Sequence, residues 1–130
     1  MILGIGTDLI EVERVAEKLE KKAGFRELVF SAHEIAYCER MVFKYEHYAA
    51  RFAAKEATAK TLQTGFKGLS FKEIEVVRNS AGAPSLKLSG RASALAAKLN
   101  LSSFELTISH EREYAIAFVL GYGETPNRSR

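Results

Sequence analysis

The chain has 130 residues, 47% of them hydrophobic, which fits a single domain with an ordinary soluble core and leaves no second folded unit to expect. Its 19 Lys and Arg against 16 Asp and Glu leave a charge of +3, a mild excess that suits an anionic ligand and falls far short of a nucleic-acid-coating charge. A lone Cys38 excludes an internal disulfide; no basic-then-apolar leader opens the sequence, and no apolar run approaches the roughly 18 residues of a membrane span, so the expected compartment is the cytosol.

In chain order, Ile2 to Thr7 is short, β-branched and punctuated by Gly4 and Gly6, the composition of a strand, and it delivers the Asp8 carboxylate at its tip. The two glycines lack the third that a dinucleotide-binding turn needs, and they predict a close approach to a neighbouring backbone instead. Val12, Val15, Ala16 and Leu19 recur at helical spacing over Glu11 to Lys22, before Gly24 interrupts. Arg14 lies off that stripe, exposed either to solvent or to an acidic partner. Ser31-Ala-His-Glu34 has the form of a capping box and starts a second helix through Ile35, Tyr37 and Cys38. Glu46 to Gln63 is alanine-rich without Gly or Pro, the most secure helix of the chain, with Gly65 as its terminator. Phe71 to Arg78 reads as a strand, Asn79 to Ala83 as a turn, and Pro84 to Leu88 as the hairpin partner with Leu86 and Leu88 inward. Ser89 caps a short helix to Leu99. Phe104 to Ser109 and Tyr114 to Leu120 are two more strands joined through His110 to Glu113, and residues 121–130 read as a disordered tail. With no repeat and no linker, the expectation is one α+β domain over residues 1–120, an antiparallel sheet packed with a long alanine-rich helix.

At about 100° per residue, Ala49, Phe52, Ala53, Glu56, Lys60 and Gln63 share one sector of the long helix, so Glu56 and Lys60 stand in the stripe that Phe52 marks as inward. Two readings stay open. The charges satisfy each other four residues apart, or Glu56 faces a cation while Lys60 faces an anion beside it, an arrangement suited to a metal–phosphate complex. Asp8 is the natural second ligand for a hard cation such as Mg2+, which is held by one or two carboxylates, phosphate oxygens and water; otherwise it is the N-cap of the helix after it. His110, at a strand end, donates to phosphate, or shuttles a proton, or is an ordinary turn residue. Glu111 beside it pairs with Arg112 or lies in solvent. No zinc spacing, nucleophile elbow or P-loop occurs in the chain.

Three stretches, taken together, resemble a known family. Gly4-Ile-Gly-Thr-Asp-Leu-Ile-Glu-Val-Glu-Arg14 is similar to the opening of the holo-acyl-carrier-protein synthases. Arg51-Phe-Ala-Ala-Lys-Glu-Ala57, followed by Lys60 and Thr64-Gly65, resembles their central signature, and Ile108-Ser-His110 with Tyr114-Ala115 their closing one. Phe71 to Val76 with Gly82 and Pro84 resembles the hairpin between, so the likeness covers residues 1–120. It implies the 4′-phosphopantetheinyl transferase fold and a homotrimer with three active sites at subunit interfaces. It further implies transfer of phosphopantetheine from coenzyme A to a serine of apo acyl carrier protein, releasing adenosine 3′,5′-bisphosphate, with neither a nucleic-acid nor a membrane partner.

By the same resemblance, Asp8 and Glu56 hold Mg2+ against the coenzyme A pyrophosphate, and Asp8, Glu56 and Lys60 form the catalytic set; what deprotonates the serine is left open, with Glu56, directly or through a metal-bound water, the preferred base because metal coordination lowers the pKa of water. Lys60, Gly65, Gly82, Pro84, Ser109 and His110 line the coenzyme A site, while Arg14, Arg26 and Arg51 meet the carrier. Two departures stand out. Glu111 occupies a place where the family often has Thr, and Leu28 replaces an Arg before the Thr-x-x-Glu that Ser31 opens here, leaving Arg26 as the nearby base. Two rival classes are weaker on the residues. A non-catalytic carrier-binding module would not need Asp8, Glu56 and Lys60 together, and a basic nucleic-acid-binding domain would carry an aromatic-basic strand motif that is missing.

Overall fold

The elements in chain order are β1 (Ile2–Glu11), α1 (Val12–Lys21), α2 (Phe25–Val29), α3 (Ala32–Glu39), α4 (Lys44–Thr61), a single 3-10 turn (Phe71–Glu73), β2 (Ile74–Arg78), β3 (Pro84–Leu88), α5 (Gly90–Lys98), β4 (Leu101–His110) and β5 (Tyr114–Gly123). The computed structural model describes residues 1–124. β5 is the centre of a three-stranded antiparallel sheet with β1 on one side and β4 on the other; Gly6 stands opposite Val119, and Thr107 opposite Phe118. β2 and β3 form a separate antiparallel hairpin, with Val76 opposite Leu86. The α+β architecture with an antiparallel sheet and one long helix is therefore as the sequence indicates.

Side chains alternate along β5: Ala115, Ala117 and Val119 are buried, whereas Tyr114, Ile116 and Phe118 stay exposed on the other face. α4 lies across the buried face, and its alanines make that possible. Ala53, Ala54 and Ala57 are all fully buried, with no side chain long enough to hold helix and sheet apart. The approach is closest at β1. A Cβ on Gly6 would collide with the Ala57 carbonyl oxygen, and one on Gly4 would stand 2.8 Å from the Thr61 side chain, which is the backbone proximity that the two glycines predict. On the far side of α4, Val12, Val15, Phe25, Val29, Phe30, Tyr48 and Phe52 form one apolar cluster. Leu62, Ile74, Ala92, Ala96 and Leu101 form another at its C-terminal end.

Several boundaries differ from the sequence reading, each because of pairing between distant segments. β1 does not end at Asp8; its ladder with β5 continues to Glu11 opposite Tyr114, so the backbone cannot turn at Asp8. The N-cap of α1 is consequently Glu11, and Asp8 caps nothing. α4 stops at Thr61, four residues before Gly65, and the left-handed conformation that closes it belongs to Gln63 (φ 63°). Phe71–Glu73 is a 3-10 turn and not strand, because the Glu73 carboxylate accepts from Ser70 N at 2.9 Å and winds the chain there. The same Glu73 accepts from Arg91 N at 2.8 Å and so caps α5, whose N-cap Ser89 makes no side-chain bond. α2 is too short to show a period in sequence. β5 runs on to Gly123, whose N donates to Met1 O at 3.0 Å, so 121–123 are sheet and not tail; residues 125–130 of the expected tail lie outside the described residues. The Ser31–Glu34 capping box forms as expected, with Ser31 N to Glu34 Oε1 at 2.9 Å and Glu34 N to Ser31 Oγ at 3.1 Å. Among the described residues no helix is long and apolar enough to cross a membrane.

Candidate active site

From Gly4 onward the even-numbered residues of β1 face α4, which puts Asp8 beside the last two turns of that helix. Its side chain is 18% exposed. Lys60, half-exposed, reaches back across the gap: Nζ donates to Thr7 O at 2.8 Å and lies 3.4 Å from Asp8 Oδ1. Glu56, one turn earlier on α4, is half-buried beside them. Its pKa is raised above the ordinary glutamate value, first by burial and then by the Asp8 charge, with Lys60 and Lys18 pulling the other way. Asp8 is likewise raised by burial, although Lys60 opposes the shift. The cation in the cluster has chosen Asp8, so the helical Glu56–Lys60 pair is not made.

Two hard oxygen donors that repel each other in a half-buried setting, with only one nearby ammonium bonded to one of them, are under-neutralised. That donor set fits Mg2+, which takes one or two carboxylates and fills its remaining positions with phosphate oxygens and water. Among the described residues no group of three or more His, Cys, Asp or Glu side chains gathers as a closed metal cage. An open, two-carboxylate site needs no such cage.

A second cluster lies at the other end of α4. His47, Arg51, Arg78, Pro84 and His110, with the Tyr37 ring, line a cavity of about 150 Å³. The Arg51 guanidinium sits 4.1 Å from the centre of the Tyr37 ring, and Arg78 sits 5.1 Å from it while donating to Tyr37 Oη at 2.7 Å. His110 Nδ1 is 2.9 Å from Glu46 Oε1, and the His47 and His110 rings meet edge to face at 4.7 Å. Burial, reinforced by the charges of His110 and Arg51, holds the His47 pKa below its ordinary value. Arg51 is only 6% exposed, and among the described residues its buried Nε has no hydrogen-bond partner. An orphaned buried donor of this kind is costly unless an acceptor enters. With two guanidinium groups in its wall, the cavity carries positive charge.

The structure thus brings Asp8, Glu56 and Lys60 together, and separately His110 with Pro84. Gly82 (φ 86°) forms the turn just before Pro84, where an added Cβ would stand 3.7 Å from Arg78 Nη2. Ser109 faces away from this cavity on the exposed side of the sheet, opposite Ile116, because side chains alternate along β4. Gly65 (φ 57°) lies in the loop beyond α4, on the Lys60 side. Arg14 is exposed on α1, as expected. Arg26 is half-exposed and tied to Glu27 at 2.8 Å and Glu39 at 3.4 Å. Arg51 is placed differently from the sequence reading: burial in the His110 cavity removes it from the surface a carrier would touch. Tyr37, His47 and Arg78 went unread. Only His47 had a signal, one helical turn before Arg51 on the same face of α4.

The two clusters are far apart along one helix. His47 and Lys60 are thirteen residues apart on α4, about 20 Å at a rise of about 1.5 Å per residue.

Residues 4–119 match the 4′-phosphopantetheinyl transferase superfamily. The holo-acyl-carrier-protein synthase of Halothermothrix orenii is 44% identical over 122 residues, covering 93% of this chain and 98% of its own. The crystal structure of the holo-acyl-carrier-protein synthase from Neisseria meningitidis superposes with a TM-score of 0.84 at 29% identity, covering 94% of this chain and 99% of that one. The Bacillus anthracis enzyme of that name, solved in complex with CoA (3′,5′-ADP), superposes with a TM-score of 0.78 at 34% identity over 95% of this chain and 99% of that one. The chain therefore belongs to the 4′-phosphopantetheinyl transferase superfamily, among its holo-acyl-carrier-protein synthases.

Proposed function

We propose that this chain moves the 4′-phosphopantetheine group of coenzyme A onto a serine of an apo acyl carrier protein, with Mg2+ held by Asp8 and Glu56. The observation that carries the reading is the juxtaposition of two half-buried, mutually repelling carboxylates with Lys60, on a chain whose relatives bear that enzyme's name. The serine oxygen attacks the β-phosphorus of coenzyme A, a new P–O ester forms, the bond from that phosphorus to the oxygen it shares with the α-phosphate breaks, and adenosine 3′,5′-bisphosphate leaves. Mg2+, when bound, would supply positive charge against the diphosphate oxygens. Lys60 is half-exposed and leaves its Asp8 and Thr7 contacts to offset charge on the transferring phosphoryl group, as cationic clamps do in phosphoryl transfer. Glu56 receives the serine proton, directly or through a water.

The cavity with Arg51, Arg78, His47 and His110 suits the bisphosphate end of the same substrate, with Pro84 in its wall and the Gly82 turn just before it. Because that cavity and the Lys60 cluster lie at opposite ends of α4, one coenzyme A is best gripped by Glu56 and Lys60 of one copy and His110 of another. The apolar side chains exposed on the outer sheet face, Ile5 and Leu9 of β1 with Ile116 and Phe118 of β5, offer the surface for that assembly, a homotrimer. Arg14 and the lysines that follow it on α1 would meet an acidic carrier, an electrostatic contact suited to a partner that must leave after each turnover. The reaction is assigned to the cytosol and to lipid synthesis. Mass spectrometry of apo acyl carrier protein incubated with this protein, coenzyme A and Mg2+ tests the assignment. The expected result is one phosphopantetheine adduct on the carrier, which does not form when a chelator is present from the start; an unmodified carrier in the presence of Mg2+ overturns the reading.

A further inference from the structure

Lys55 immediately precedes Glu56, and its ammonium is fully buried, as is the carboxylate of Glu34 that it meets at 2.9 Å. The remaining Lys55 donors are used as well, on Phe71 O at 3.1 Å and Ile74 O at 2.5 Å. Glu34 is equally saturated, accepting from Ser31 N at 2.9 Å and from Val76 N at 2.7 Å. One buried ion pair thus joins α4 to the start of α3, to the Phe71–Glu73 turn and to β2. Stability alone does not account for it, because desolvating two charges is so costly that an apolar pair of equal volume is often as stable.

On its other side α4 touches β1 through Gly4, Gly6 and Ala57. That contact, with the Thr61 side chain seated against Gly4 and Gly6, sets how near the helix comes, and the Lys55–Glu34 pair adds a directional bond from another face of the helix. Consecutive helical residues diverge by about 100°, so anchoring Lys55 toward β2 fixes the direction of Glu56 toward Asp8. We infer that the Lys55–Glu34 pair is a positioning device for the reaction, locking the roll of α4 so that Glu56 and Asp8 face one another.

This inference rests on the transferase reading above. Its test compares the native protein with Lys55→Met/Glu34→Gln, which removes both charges while glutamine keeps an acceptor for Val76 N. Three quantities are read: thermal unfolding, coenzyme A affinity by calorimetry, and kcat for carrier modification well below the unfolding midpoint. The expected result is a folded variant whose coenzyme A affinity stays within about threefold while kcat falls about 100-fold, the scale of a misplacement near 1 Å. Glu34→Asp keeps both charges and shortens their reach by one methylene; it should lower kcat about tenfold with affinity held. If the double variant does not fold, Glu34→Asp decides by the same split. Folded variants with native kcat, or with a lowered unfolding midpoint alone, overturn the inference while leaving the transferase reading intact. A native protein that forms no adduct overturns both.

Discussion

Glu56 sits where a carboxylate is costly to ionise, and the cost has a sign that can be followed. Its pKa is raised in the folded chain above the ordinary value of 4.5. Between that value and the folded one, the native state holds a proton that the unfolded state has lost, so stability rises as pH falls through that window and ionised Glu56 is a net cost at neutral pH. Glu56→Gln should therefore abolish carrier modification while raising the thermal midpoint of the metal-free protein by roughly 1–3 °C, a small figure because solvent screens the half-buried group; calorimetry and the mass assay read the two effects separately. Protonation also removes a ligand, so activity should fall on acidification through the raised range. A bound divalent cation favours the ionised form. More Mg2+ should then move the acid limb of the pH–rate profile to lower pH, and a limb that stays in place would argue against these carboxylates as its ligands. Glu56 and Lys60 were legible in sequence because charges in an apolar helical stripe are a conflict that packing alone does not resolve. Arg78, Tyr37 and His47 were not, because they converge from the hairpin, α3 and α4 only once those elements have packed.

Among the elements, α4 could be read almost to its ends, since alanine sustains a helix whatever its surroundings, and the Ser31–Glu34 capping box is local by nature. Lys55 shows the limit of such reading: its neighbour Glu56 draws the eye, yet the partner that explains Lys55 is Glu34, twenty-one positions away and on another helix. The strand ends were misjudged for a related reason, as β1 and β5 extend each other beyond what either sequence suggests. Their joint contact with α4 is also the most fragile part of the fold. Gly6→Ala must push the Ala57 turn away from β1, and it should cost about 1–3 kcal/mol in denaturant unfolding. Since the same displacement moves Asp8 relative to Glu56, kcat should fall even in the fraction that remains folded.

For the molecule as a whole, the outer sheet face is the feature least suited to an isolated chain. Ile5 is 61% exposed and Leu9 62%, with Ile116 and Phe118 beside them on the neighbouring strand. An apolar face of this kind is the surface that the proposed trimer would bury. Phe118→Glu should convert the proposed trimer to monomer, visible by light scattering, and remove activity while the helical circular dichroism signal persists. No local pattern in the sequence announces this face; alternation along β5 shows which residues share a side, but only the packing of α4 tells which side is inside.

The length of α4 between its two functional ends has a genetic corollary. If each catalytic centre borrows Glu56 from one subunit and His110 from the next, two crippled proteins can repair each other. Glu56→Gln and His110→Ala, each nearly dead alone, should regain turnover when unfolded together and refolded as a mixture. Every hybrid ring would then contain one junction with both native side chains, so an equal mixture should recover about a quarter of the native rate.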